Sequence, residues 1–390
     1  MVLATVGLVQ NSANASASGG PSLTDIAKAL TTATASPTPN FQSTTPSIGS
    51  NTVPYALRNV RTCFLSGVFP SDPATSCLFG DPTGSTTMYV FGDSQAAMWI
   101  PAFDELGQTL GIRVIYAAHV ACGPSYAFDT SEGASCTSFE KAAIAYANTL
   151  KPNLIFPLQF EDSAYGTFGN RSFIARLVQV DAALQPSQAK IIWLGNIPHL
   201  TSDTQLTTCP LIHASNLAGC EVTPQSQASV NYRAAAVETK STFVSPLSLF
   251  CTSSICPLWV PIAGTNYLPY YDHSHMNSTY AALLGPALTQ LLTPYLSATA
   301  PIPSATLPQP ALTLRAGVST SKVGHPVPAV VSGGLMGMTT LGVLGSGCRV
   351  VNGTAVVASK ATLCRLSATR KAAAPYTPVV SNTVSVRFSA

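Results

Sequence analysis

Between residues 86 and 292, short apolar runs alternate with stretches of helical period. That alternation narrows the possible folds more than any other feature of the chain. Residues 88–91, 113–118, 153–158, 190–195 and 241–244 read as strands. Residues 96–111, 138–150, 170–185, 226–240 and 276–292 read as helices. In the third of these helices Phe173, Leu177, Val180 and Leu184 fall on one face. Strands that are apolar throughout are buried on both faces, and a helix between two strands returns the second parallel to the first. The expectation is an α/β domain of three layers, α/β/α, around a parallel sheet. In open sheets of this kind the ligand site lies beyond the carboxyl ends of the strands.

Such a sheet needs a core, and the composition supplies one. The chain is 46% apolar and only 9% charged, which excludes disorder for most of it. Its 390 residues exceed one typical domain and imply two. The formal charge of +3, with no basic run, excludes nucleic acid as a partner. The ten cysteines fall as local pairs: Cys63 with Cys77, Cys122 with Cys136, Cys209 with Cys220, Cys251 with Cys256, and Cys348 with Cys364. No pair has the CxxC spacing of a zinc knuckle. The parsimonious reading is five sequential disulfides in an oxidising compartment; the alternative is ten buried thiols.

Residues 1–54 read as a flexible linker headed by the stub of a membrane segment. The stretch 1–10 is apolar but too short to span a bilayer, and it lacks a basic n-region. Within the linker only residues 25–30 offer a turn or two of helix. Residues 55–296 form the α/β domain, entered through a looped segment pinned by Cys63 and Cys77. Residues 297–320 read as a Pro/Ala-rich linker. Residues 321–390 hold strand-like runs broken by Gly, which suits a small all-β sandwich stapled by Cys348 and Cys364. Disulfide-type cysteines without an export signal point to the extracytoplasmic part of a larger membrane protein.

Two stretches carry chemistry. In the first, the strand at 88–91 runs into Gly92-Asp93-Ser94, and a helix follows at once. Gly92 permits a tight turn, and the helix start offers free N–H groups and a positive dipole end. Those are parts of an activated serine with half an oxyanion hole. The tripeptide alone is a weak signal, because all three residues favour turns. The second stretch is Tyr270-Tyr271-Asp272-His273-Ser274-His275-Met276-Asn277. Asp272 and His275 are spaced so that the carboxylate can bind one ring nitrogen and leave the other as a general base. Such a base is worth roughly 100- to 10,000-fold in rate. The competing reading is an N-cap, by Asp272 or Asn277, beside a surface histidine. His273 is a rival base, but it adjoins Asp272 directly. A zinc site on Asp272, His273 and His275 finds no fourth ligand in the chain, so no metal or organic cofactor is expected.

Both stretches, in this order on an α/β pattern, resemble the SGNH (GDSL-like) hydrolase family. The likeness is to the extracytoplasmic SGNH domain fused to membrane acyltransferase family 3 proteins. It is carried by residues 92–102, Cys122-Gly123-Pro124, the Cys251 and Cys256 loop, and residues 272–276. It implies a flavodoxin-like three-layer fold, Ser94 as nucleophile, His275 as base and Asp272 as the orienting carboxylate. It also implies an upstream membrane domain as acyl donor. This chain departs from the subgroup at Gln95, where His is usual, and it lacks a Gly-x-Asn-Asp segment after the third strand. The oxyanion donors are then the Ser94 and Gly123 amides, with Gln159 as a further candidate, while Asn196 shapes a turn. The last part, with Gly347-Cys348-Arg349-Val350, residues 361–369 and Tyr376, resembles bacterial Ig-like repeats. The expected function is a serine-dependent O-acyltransferase or esterase. It would move or remove an acyl group, acetyl being the simplest, on a cell-envelope polysaccharide or glycolipid. The alternative is a catalytically degenerate glycan-binding or adhesion protein.

Overall fold

A computed structural model describes residues 19–35, 44–46, 61–129, 131, 133–160, 171–200, 206, 208–213, 220–223, 229–296, 312–332, 339–370 and 379–390. The apolar stretch 1–10 and Tyr376 lie outside the described residues.

The central sheet has six strands. They are β1 (Leu78–Gly80), β2 (Thr86–Gly92), β3 (Ile112–Ala118), β4 (Leu154–Leu158), β5 (Lys190–Leu194) and β6 (Thr242–Val244). Their spatial order is β1-β3-β2-β4-β5-β6. From β2 onward every pairing is parallel. The order of those parallel strands is that of flavodoxin-like sheets, whose direction of winding reverses between the first strand and the third. Here that switch point lies between β2 and β4. The edge strand β1 runs antiparallel to β3, so the sheet is mixed rather than wholly parallel. A three-residue strand carries too little period to be seen in a loop rich in Gly and Pro.

Alternate strand residues face opposite layers. Val90, Tyr116, Phe156 and Ile192 pack on one side, and Phe91, Ile115, Ile155 and Trp193 on the other. The first side is covered by α1 (Leu23–Ala35) and α2 (Ser94–Leu110). The second side is covered by α3 (Ala134–Leu150), α4 (Arg171–Leu184) and α5 (Val230–Thr239). Helix α1 corrects the linker reading of residues 1–54 at this point. Its Ile26, Ala29, Leu30 and Ala33 are buried in the domain core, a stripe at helical spacing. Burying one such Ile or Leu is worth roughly 1.5–3 kcal/mol, which offsets the ordering of a short helix. The helix expected over 276–292 is two helices, α6 (Ser278–Leu283) and α7 (Gly285–Leu296). Pro286 has no N–H to donate and disfavours helical backbone at the residue before it. Gly285 also lies so close to α2 that a Cβ would overlap the Glu105 carboxylate.

After the hairpin β7 (Val260–Ile262) and β8 (Thr265–Tyr267), the remaining strands form a separate β domain. One sheet contains β9 (Thr313–Ala316), β11 (Val327–Ser332), β13 (Cys348–Val351) and β14 (Ala355–Ala358). The other contains β10 (Thr320–Lys322), β12 (Thr339–Leu344), β15 (Thr362–Arg370), β16 (Val379–Val380) and β17 (Val384–Ser389). Leu314, Val356, Leu366, Val386 and Phe388 form its core. β9 begins inside the stretch read as linker over 297–320, and its Leu314 is buried, so the β domain reaches back to that point. All five sequential disulfides are formed. The last, Cys348–Cys364, joins β13 in one sheet to β15 in the other.

Candidate active site

The turn after β2 is forced by Gly92. Its φ is +143°, and a Cβ there would overlap the Leu158 carbonyl of β4. Asp93 then caps α2: its Oδ1 accepts from the Gln95 N–H at 2.8 Å. Its Oδ2 accepts from the Phe160 N–H at 2.7 Å, so one carboxylate laces the β2 turn to the β4 turn. Asp93 is buried, and burial raises its pKa to about 6 against those two amides. Ser94 follows as the first residue of α2, at the switch point of the sheet.

The second strand of the site is a closed loop ahead of α6. Tyr270 and Met276 pair across it, and the Tyr271 N–H donates to the His275 carbonyl at 2.9 Å. Inside the loop Asp272 Oδ1 accepts from the N–H groups of Ser274 (2.8 Å) and His275 (2.7 Å). Asp272 Oδ2 lies 2.7 Å from His275 Nδ1, and His275 Nε2 lies 2.8 Å from Ser94 Oγ. A carboxylate accepts only, so Nδ1 carries the proton and Nε2 presents a lone pair to the serine hydroxyl. Burial alone would raise the Asp272 pKa. The hydrogen bond from His275, with the two amides, outweighs it and holds the carboxyl at about 2. The His275 and Asp272 side chains keep 19% and 25% of their surface open, so solvent-borne molecules reach them.

The other polar residues of this loop have places of their own. The α6 cap is Asn277, whose side chain accepts from the Thr279 N–H at 3.0 Å. That leaves Asp272 to His275. His273 is exposed, and its carbonyl accepts from the Leu200 N–H at 2.9 Å. Among the described residues no group of three or more His, Cys, Asp or Glu is arranged to hold a metal ion.

Gly123 sits on the loop after β3, which the Cys122–Cys136 disulfide ties to the first turn of α3. A Cβ at Gly123 would overlap the Gln159 side chain, so the loop backbone lies flat on that residue. Gln159 itself braces that loop. Its Oε1 accepts from the Ser125 N–H at 2.9 Å and its Nε2 donates to Ser125 Oγ at 2.8 Å. It is 2% exposed and holds the turn that carries Gly123. Asn196 is also structural: its Nδ2 donates to the Gln159 carbonyl at 2.9 Å. The N–H groups of Ser94 and Gly123 engage no acceptor among the described residues.

Sequence reasoning missed His199, Asp93 as a clasp, and the partner of Gln95. His199 stacks on Phe160 at 4.7 Å between ring centroids, and it is buried. Burial, with the nearby His273 and His275, pushes its pKa down to about 4. The one signal for Asp93 was the N-cap preference of Asp before a helix; nothing in the local sequence marked His199.

Solved structures to which the chain is similar include the following two. The periplasmic domain of a lipopolysaccharide acetyltransferase from Salmonella ser. Paratyphi A has 12% identity and a TM-score of 0.45. The match covers 54% of this chain and 85% of that one. An acetylxylan esterase from Geobacillus stearothermophilus has 13% identity and a TM-score of 0.33, covering 54% of this chain and 94% of that one. No curated protein matches the sequence. Among the described residues no helix is long and apolar enough to cross a membrane. The sequence profile described as an SGNH domain fused to AT3 domains matches residues 62–290. Those limits enclose the β2 turn, the Gly123 loop and the Asp272–His275 loop, and the chain belongs to the SGNH family of the kind fused to AT3 domains.

Proposed function

We propose that the α/β domain is a serine-dependent O-acyltransferase or esterase. The observation that carries this reading is the continuous line Asp272 Oδ2–His275 Nδ1 (2.7 Å), His275 Nε2–Ser94 Oγ (2.8 Å). Membership of the SGNH family supports ester chemistry. In the proposed reaction Ser94 Oγ attacks an acyl ester carbonyl while its proton passes to His275 Nε2. The Ser94 and Gly123 amides stabilise the developing oxyanion, with Gln159 bracing the Gly123 turn. The leaving alkoxide takes the proton from His275, and the acyl group remains on Ser94. His275 then deprotonates a sugar hydroxyl, for transfer, or water, for hydrolysis; the new oxygen displaces Ser94 Oγ, which takes the proton back from His275. The reading needs no metal or organic cofactor.

The acceptor in this reading is a cell-envelope polysaccharide or glycolipid, and the donor is a membrane acyltransferase domain of the AT3 kind. Five disulfides support an extracytoplasmic setting, membrane-associated through that partner. The two-sheet β domain, with its inter-sheet disulfide, suits an Ig-like spacer or adhesive module.

Intact-mass labelling with a fluorophosphonate tests the chemistry. One adduct is expected on the wild type and none on Ser94→Ala, with labelling at least about 100-fold slower on His275→Ala. A folded wild type that takes no adduct overturns the reading and favours a glycan-binding module.

A further inference from the structure

Helix α2 presents the serine, and its first turns also grip the loop that holds the base. Gln95, next to Ser94, is 1% exposed, and its Nε2 donates to the Ser274 carbonyl at 3.0 Å. Met98 is fully buried, and its Sδ accepts from the Met276 N–H at 3.3 Å. Positions 95 and 98 are i and i+3, neighbours on one helical face. Ser274 and Met276 flank His275 on either side. The backbone around the base is thus fastened at two points to the same helical turns that carry the hydroxyl, across separations of 179 and 178 positions.

The chemistry of the two contacts is complementary. A carbonyl accepts only, so the Gln95 amide must turn its nitrogen to Ser274. That orientation leaves Gln95 Oε1 buried without a partner. A side chain chosen for packing alone would not carry that cost, since an apolar residue of the same length fills the space without an unpaired oxygen. Ser94 also gains from the arrangement, because a misplacement of about 1 Å between reacting groups costs on the order of 100-fold in rate.

We propose that Gln95 and Met98 are positioning residues, a two-point clamp that sets the separation between Ser94 and His275. The inference rests on the serine reading above and deepens it. The clamp acts through His275 and does not touch substrate. It also accounts for a polar amide directly after the nucleophile on a face otherwise lined by Met98, Trp99 and Ala102.

The test uses the full chain with p-nitrophenyl acetate as substrate and the fluorophosphonate as probe. Gln95→Met keeps side-chain length and helix preference, removes the donor and removes the unpaired oxygen. Its melting temperature should hold, because losing the unpaired oxygen offsets the Ser274 carbonyl left without its donor, while kcat and the labelling rate fall about 10- to 100-fold and KM stays within about two-fold. Gln95→His can return one N–H to the same carbonyl and should recover kcat to within about three-fold of the wild type. Met98→Leu, which loses a weaker acceptor, should cost about three- to ten-fold. Wild-type kcat in Gln95→Met overturns the clamp, as does a loss confined to KM. The ¹⁵N resonance of His275 Nε2 reads its hydrogen bond to Ser94 without turnover. It should move in Gln95→Met in the direction seen in Ser94→Ala. An unmoved resonance overturns the clamp even in an inactive protein, whereas a wild type that neither labels nor turns over overturns the serine reading alone.

Discussion

An imidazole stacked on Phe160 and 7% exposed resists protonation. The pKa of His199 in the fold, about 4, lies below the ordinary 6.5. As pH falls through 6.5 the unfolded chain takes up a proton that the folded chain refuses until about 4. Stability from this group is therefore complete above 6.5 and lost as pH drops through that window, by about 3 kcal/mol in all. Asp93 works in the opposite direction over part of the same range, because its raised pKa keeps a proton that the unfolded chain releases. Comparison with His199→Phe isolates the histidine. In denaturant titrations at pH 7 and pH 4 the wild type should lose about 3 kcal/mol more than the variant. Equal losses would contradict the burial argument. Ser94, Asp272 and His275 were legible because each rests on local spacing: a glycine before the serine, and two residues between carboxylate and imidazole. The bracing contact of Gln159 with Ser125 was not, because the two lie 34 positions apart and no local pattern encodes that.

Helix α3 carries a misfit at its buried face. Glu140 is fully buried, and neither carboxyl oxygen has a hydrogen-bond partner. Burial pushes its pKa well above the carboxylate range, and the charge of Asp93 adds to the rise. Glu140→Leu should therefore stabilise the protein by about 1–3 kcal/mol, read as a higher denaturant midpoint. The same helix anchors the Gly123 loop through Cys136. Replacing Cys122 and Cys136 together by Ser frees a loop of 14 positions and should cost about 2–4 kcal/mol. It should also slow fluorophosphonate labelling about 10-fold, because the Gly123 amide loses its tether. Labelling at the wild-type rate would place the oxyanion donor elsewhere. The long strands and helices of this layer were readable from period alone. β1 was too short to show a period, and of α1 only residues 25–30 stood out from the Ser- and Thr-rich stretch around them.

At the scale of the whole molecule, strand–helix alternation was enough to foresee the parallel pairing of β2 to β6, while their flavodoxin-like order was implied by the family resemblance. Local cysteine spacing was enough for the five disulfides, because each closes a short loop. What period and spacing could not convey were contacts between distant segments: α1 docked on α7, where the Leu23 N–H meets Gln290 at 2.8 Å, and the grip of α2 on the loop at Ser274. Ser94 and His275 stand 181 positions apart. A ribosome adding about 5–20 residues per second finishes the serine roughly 10–40 s before the histidine. Throughout that interval the hydroxyl is made but has no base. In the proposed reading, base-assisted acyl chemistry begins only after the Asp272–His275 loop has been synthesised and folded back against α2. A nascent or prematurely ended chain then lacks the base and acylates at least about 100-fold more slowly than the finished domain.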